Sequence, residues 1–326
     1  MGRISMVSLP RSVAFFVGWK SPTRLTAPKV KTRNLLSLCE SNTRAFHPVK
    51  NRNFRRSISL GVALAACLIA IACDDSGVPP TPEAAKRFLK LRGYDFNEES
   101  FFQAAADGDV MAVNGFISAG MNVNVKNKDD DTALTAMAAQ GNAKVIDALL
   151  RSGADVNAKG RNGWTALLLA LQEEHPDVVD LLLAQPNLDL KAETPDKMTA
   201  LMVAVWHQQE AAVRALLKRE ADVNHQDNDG DTSVHGAALY RNAKILGLLL
   251  DAGANPNLKN KLGGTALMWA AAYGYDDIVR DLLSRGADAK IRDIDGVTAA
   301  GWAAKNGRTN ILMMLRQAEK EQGAKS

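Results

Sequence analysis

Apolar residues in the second part of this chain come in short bursts that return at a fixed distance. Six threonines open them, Thr132, Thr165, Thr199, Thr232, Thr265 and Thr298, at intervals of 33, 34, 33, 33 and 33 residues. Small and apolar residues follow in register, as in Thr132-Ala133-Leu134, Thr165-Ala166-Leu167, Thr199-Ala200-Leu201 and Thr265-Ala266-Leu267. A leucine pair closes the second burst of the first five of these periods: Leu149-Leu150, Leu182-Leu183, Leu216-Leu217, Leu249-Leu250 and Leu282-Leu283. Turn strings come next, among them Gly153-Ala154-Asp155-Val156-Asn157, Glu220-Ala221-Asp222-Val223-Asn224 and Gly253-Ala254-Asn255-Pro256-Asn257. The pattern predicts two helices per period. Threonine accepts from the free amides that open the first helix. Gly153, Gly253 and Gly286 end the second in a left-handed turn. Asn162-Gly163, Asp229-Gly230 and Asp295-Gly296 then predict tight projecting turns. One helix pair cannot bury its own apolar face, so stability must come from stacking neighbours.

These markers resemble the ankyrin repeat, in which a β-turn precedes two antiparallel helices. The resemblance is strong over about 120–316. It extends as a degenerate first unit over 98–119, through Phe101, Phe102, Ala104, Ala105, Gly108-Asp109 and Phe116-Ile117. It implies an all-α solenoid of about six stacked helix-turn-helix units plus that first unit, spanning 98–316, with projecting β-turns. The chain departs from the family pattern in two ways. No proline follows any of the threonines, and the histidine usual three residues after the threonine occurs only as His235. Units without it lose a helix-start hydrogen bond and are expected to be individually soft. His175-Pro176 replaces the usual glycine between helices, with Pro176 starting the second helix.

The net charge of +4 hides a division. Residues 1–73 hold 12 Lys/Arg and a single acid, Glu40, whereas the remainder is net acidic by 7. All three cysteines, Cys39, Cys67 and Cys73, lie in the basic part. The body therefore has no disulfide framework, thiolate nucleophile or cysteine metal site. Within 49–73, Lys50, Arg52, Arg55 and Arg56 precede an apolar run from Ile58 to Ala72 and then Cys73. This is the layout of a secretory signal, and the run is short for a membrane span. Ala70-Ile71-Ala72-Cys73 resembles a bacterial lipoprotein box, which implies lipid attachment at Cys73. Leu64-Ala65-Ala66-Cys67 is the competing box. Residues 1–48 read as a leader or as sequence upstream of the true start. The expected location is the periplasmic face of a bacterial envelope, membrane-tethered, the alternatives being an organelle signal or a single-pass anchor. A Pro-rich linker is expected over 74–82, a capping helix over 83–97 and a disordered tail over 317–326.

Neither the helix pairs nor the charge pattern names chemistry. No phosphate loop, paired-carboxylate motif or nucleophile–base pair is present, and the histidines are scattered over separate units. No cofactor or metal is expected, and an acidic body argues against nucleic acid. Asp129, Asp130 and Asp131 read as a solvated turn rather than a cation loop. Binding in the resembling family uses turn tips and the exposed ends of the first helices. Residues just before, and seven or eight after, the threonines place Trp164, Met198, Trp206, His207, Leu239, Tyr240 and Tyr273 on one concave face, as candidate partner-binding residues. Trp269 and Trp302, four after their threonines, are assigned to the core. The expected function is a non-catalytic, monomeric scaffold that binds a protein partner. The alternative, an enzyme or small-ligand receptor in the groove, requires converging ionisable groups, of which the groove offers His207 and Glu173.

Overall fold

The computed structural model describes residues 81–324. The readings placed on the leader, on 49–73 with Cys67 and Cys73, and on almost all of the linker lie outside the described residues. Among the described residues the chain forms fifteen α-helices, one short 3₁₀ turn and no strand. Three isolated antiparallel bridges, Lys126–Thr132, Lys159–Thr165 and Glu193–Thr199, mark the bases of projecting fingers.

Helix α1 (Pro82–Leu91) starts as its sequence requires, with the Thr81 hydroxyl accepting from the Ala84 amide at 3.3 Å. It ends before Gly93, so the capping segment 83–97 is helical only to Leu91. Unit 1 is α2 (Glu98–Ala106) and α3 (Val110–Ser118). Gly115 of α3 faces α1, where an added Cβ would stand 3.2 Å from Leu89 and Phe88. Unit 2 is α4 (Ala133–Gln140) and α5 (Ala143–Arg151); unit 3 is α6 (Ala166–Gln172) and α7 (Pro176–Leu183). Unit 4 is α8 (Ala200–Trp206) and α9 (Glu210–Lys218); unit 5 is α10 (Ser233–Leu239) and α11 (Ala243–Asp251). Unit 6 is α12 (Ala266–Tyr273) and α13 (Asp276–Ser284); unit 7 is α14 (Ala299–Lys305) and α15 (Thr309–Ala324).

First helices pack on first helices and second helices on second helices, so two layers run through the array. Ala170, Ala204, Ala237, Ala270 and Ala303, each five residues after its threonine, are buried and let neighbouring first helices approach. The first leucine of every pair, Leu149, Leu182, Leu216, Leu249 and Leu282, is fully buried between second helices. Each contributes about 2 kcal/mol by leaving water.

The threonine caps form as expected in units 2, 3 and 7. Thr132, Thr165 and Thr298 accept from the amides of Thr135, Leu168 and Gly301 at 3.2, 3.5 and 3.3 Å. In unit 5 the Thr232 amide donates to His235 Nδ1 at 3.2 Å, which leaves the ring proton on Nε2 to donate to the Gly264 carbonyl of unit 6, also at 3.2 Å. That histidine thus fastens two units. In unit 2, Thr135 fills the same position and donates its hydroxyl to the Thr132 carbonyl at 3.0 Å.

The expected disordered tail is corrected: α15 is helical from Thr309 to Ala324. Ala318, Glu319, Lys320 and Glu321 are good helix formers. Gln317 donates to Glu321 one turn on at 2.7 Å, and Gln322 is bonded to unit 6 by both ends of its amide.

Candidate functional site

The candidate face is built from the first helices and the fingers that precede them. Residues four and eight after a threonine lie on one side of a first helix, because i and i+4 are neighbours on a helix surface. The structure divides the expected residues into two groups. Trp164, His207, Tyr240 and Tyr273 are half-buried. Met198, Trp206 and Leu239 are 3, 5 and 8 % exposed and belong to the packing, which corrects their placement on an open face.

Trp206 shows why. Gly236, four residues after Thr232, has no side chain where other units carry Leu169 or Trp269. The Trp206 ring of the preceding unit lies over that gap, 3.7 Å from where a Gly236 Cβ would stand. Tyr240 closes it edge-on, with ring centroids 5.4 Å apart. The sequence signal for this burial was the glycine, read against its large counterparts in other units.

The opposite correction applies to Trp269 and Trp302, which are half-buried rather than core. Trp269 meets the His235 ring edge-on at 5.5 Å. Trp302 donates its Nε1 proton to Asp293 at 2.8 Å, and the Lys305 ammonium stands 4.8 Å above its ring. The four-residue step from Trp269 to Tyr273 was the signal that both share one side of α12. Tyr273 stacks on Tyr275 at 5.8 Å. Burial pushes the phenols of Tyr240 and Tyr273 above their usual pKa, with Tyr275 adding to the effect at Tyr273. Two exposed apolar residues also escaped the sequence reading. Leu262 and Ile294, 60 and 69 % exposed, tip adjacent fingers.

The ionisable groups at this face have neighbours of their own. His207 reaches Glu174 at 3.2 Å and Gln172 at 3.3 Å in unit 3. Arg241 pairs with Asp277 and lies over Tyr275. Asp129 and Asp131 both pair with Arg161, and Asp130 with Lys126, so the acidic finger is neutralised by its neighbours. The fingers hold two buried acids. Asp227 accepts from the Asp229 and Asp231 amides, each at 2.9 Å. Asp231 accepts from the Asn260 side chain at 2.9 Å through Oδ1, while its Oδ2 has no hydrogen-bond partner. Burial drives the Asp231 carboxyl up to about 7, against the Asn260 hydrogen bond and with help from Asp227 and Asp229.

Part-exposed rings thus lie on the first helices of units 5 to 7, with Trp164 on the finger of unit 3. A family model for ankyrin repeats matches the chain three times, over residues 101–194, 184–260 and 234–325. The chain belongs to the ankyrin-repeat family. Two solved ankyrin structures are similar to it. The ankyrin repeat domain of Bcl-3, described as a unique member of the IkappaB protein family, is 31% identical with a TM-score of 0.60, over 66% of this chain and 97% of that one. An ankyrin repeat domain from Acinetobacter baumannii is 27% identical with a TM-score of 0.54, over 57% of this chain and 96% of that one. Ankyrin-repeat domains are in general protein-interaction scaffolds and typically non-catalytic. No helix among the described residues is long and apolar enough to cross a membrane.

Proposed function

We propose that this ankyrin-repeat chain is a non-catalytic scaffold, exported and tethered to a bacterial envelope through a lipid on Cys73, that holds a protein partner against its first-helix face. The observation that carries the binding reading is the set of half-buried rings Trp164 in unit 3, Tyr240 in unit 5, Trp269 and Tyr273 in unit 6 and Trp302 in unit 7. Rings already fixed by packing lose little freedom on contact, and a central one contributes about 2 kcal/mol or more to an interface. The tether rests on the basic head, short apolar run and terminal cysteine of 50–73.

The test is chemical cross-linking and capture with the full-length protein in its own membrane. Tyr240→Ala combined with Trp269→Ala is expected to lower recovery of the cross-linked partner at least about tenfold. Undiminished recovery would remove the face from consideration. Mass spectrometry of the mature N-terminus checks the tether: a lipid-modified Cys73 supports it, and an intact Met1 overturns it.

A further inference from the structure

Each finger of this array presents two residues at its tip, four and three positions before its threonine. In units 2 to 5 they are Lys128-Asp129, Arg161-Asn162, Pro195-Asp196 and Asn228-Asp229, in unit 6 Lys261-Leu262 and in unit 7 Ile294-Asp295. Among the described residues, large exposed apolar side chains therefore stand at finger tips in units 6 and 7 alone, as Leu262 and Ile294. The two tips adjoin, since the Ile294 amide donates to the Leu262 carbonyl at 3.1 Å. Apolar side chains kept in water on adjoining tips mark a contact surface.

An indole stands at the foot of each of these two fingers. Gly264 immediately precedes Thr265, and a Cβ there would lie 3.4 Å from Trp269 Nε1, so the ring rests against the base of its own finger. In unit 7 the Trp302 Nε1 proton goes to Asp293 at 2.8 Å, which holds that ring to its finger in the same way. Both indoles keep open surface.

Charge separates the two units from the one before them. Residues 257–275, the finger and first helix of unit 6, contain Lys259 and Lys261 and no acid, whereas the same stretch of unit 5, 224–242, contains Asp227, Asp229 and Asp231. On the fingers of units 2 and 3, Lys126 pairs with Asp130, and Arg161 with Asp129 and Asp131. Lys259 and Lys261 are exposed and enter no ion pair among the described residues. The finger of unit 7 mixes Lys290 and Arg292 with Asp288, Asp293 and Asp295. A ligand carboxylate is thus favoured beside unit 6 and not beside unit 7.

We propose that the corner formed by the fingers and first helices of units 6 and 7 seats a segment of a partner protein in which apolar side chains adjoin a carboxylate. The apolar part lies on Leu262, Ile294, Trp269 and Trp302, and the carboxylate meets Lys259 and Lys261. This rests on the reading of the first-helix face as a binding surface, and adds which units bind and what they bind. A flat anionic lipid surface fits less well, because Asp295 stands at the tip beside Ile294.

The full-length protein is titrated with short fluorescent peptides whose leucine-phenylalanine core is flanked by aspartates, serines or lysines. The aspartate peptide is expected to bind about tenfold tighter than the serine peptide at low salt, with the lysine peptide weakest. Lys259→Glu with Lys261→Glu, at two exposed positions, should reverse that order, and Leu262→Ser with Ile294→Ser should weaken all three peptides. Equal affinity for the three, or an order that survives the charge reversal, would overturn the proposal. So would a preference for phosphatidylglycerol vesicles over the aspartate peptide. Cross-linked partner recovery separates this inference from the reading beneath it. Loss with Tyr240→Ala and Trp269→Ala but full recovery with the charge reversal keeps the face and overturns the acidic segment; full recovery with both pairs overturns both.

Discussion

Unit 6 has glycine at each of its three left-handed positions, Gly263, Gly274 and Gly286 at φ 71°, 87° and 88°, whereas unit 4 holds Lys197, Gln208 and Glu220 at φ 62°, 54° and 60°. The two units share one plan and bury similar leucines, so the contrast isolates backbone cost from core packing. A side chain in the left-handed region crowds its own carbonyl, at roughly 1–2 kcal/mol per residue. Unit 4 therefore carries local strain, and its finger, with Pro195 at the tip, has no amide there to donate to unit 3. It forms because Val213 and Leu216 are buried against its neighbours. Backbone strain is here outweighed by stacking, as a one-dimensional array permits when both flanking units are in place.

The contrast is broken most severely from the unit 6 side. A Cβ at Gly263 would stand 2.9 Å from Asp293 Cα and the Ile294 amide nitrogen of the next finger. Gly263→Val combines left-handed strain with a backbone clash and is expected to cost about 3 kcal/mol or more, read as a lower urea midpoint.

A second test addresses the joint of units 5 and 6. Because the folded Asp231 carboxyl is raised to about 7, the native chain binds that proton more tightly than the unfolded chain. Its contribution is full in acid and is lost as pH rises through 7. His235 acts in the other sense: burial holds it down at about 4, so stability falls as pH drops below the ordinary histidine range. Thermal midpoints should thus rise from pH 8 to about 6.5 and then level off as the two effects oppose each other. Asp231→Asn should flatten the upper limb and stabilise the protein at pH 8 by about 2 kcal/mol, since it removes a buried charge with one oxygen unpaired. A limb that persists in that variant would exclude Asp231 as its source.

The smallest effect sharpens the comparison from the unit 4 side. Glu220→Gly, with no contact changed, is expected to stabilise by about 1 kcal/mol, since glycine enters the left-handed region freely. A change near zero would mean that Glu220 relaxes its strain by some other means.

Much of this architecture could be read from threonines, leucines and loop glycines, because those residues return at the same place in one unit after another. The face was harder. Trp206 disappears under Tyr240 only because Gly236, thirty positions on, leaves a gap for it. A burial of that kind is a property of two adjacent units, and a unit-by-unit reading misses it. Trp269 and Trp302 were misplaced for a related reason. In units 4 and 5 the same position is the buried Val203 or Gly236, whereas Ala136 and Leu169 of units 2 and 3 share the half-buried setting of the two tryptophans. The continued helix at 317–324 likewise depends on Gln322 finding the loop of unit 6.

That glutamine has a wider consequence. Its oxygen accepts from the Ala289 amide at 3.0 Å and its nitrogen donates to the Ala287 carbonyl at 2.9 Å. Gln322 therefore ties the last turn of α15 to the loop that leads into unit 7. A helix end left without such partners frays, because its last carbonyls have no intrahelical donors. One amide gives the end of α15 a second fixed point on the array, beyond the apolar contacts of Ile311 and Leu315.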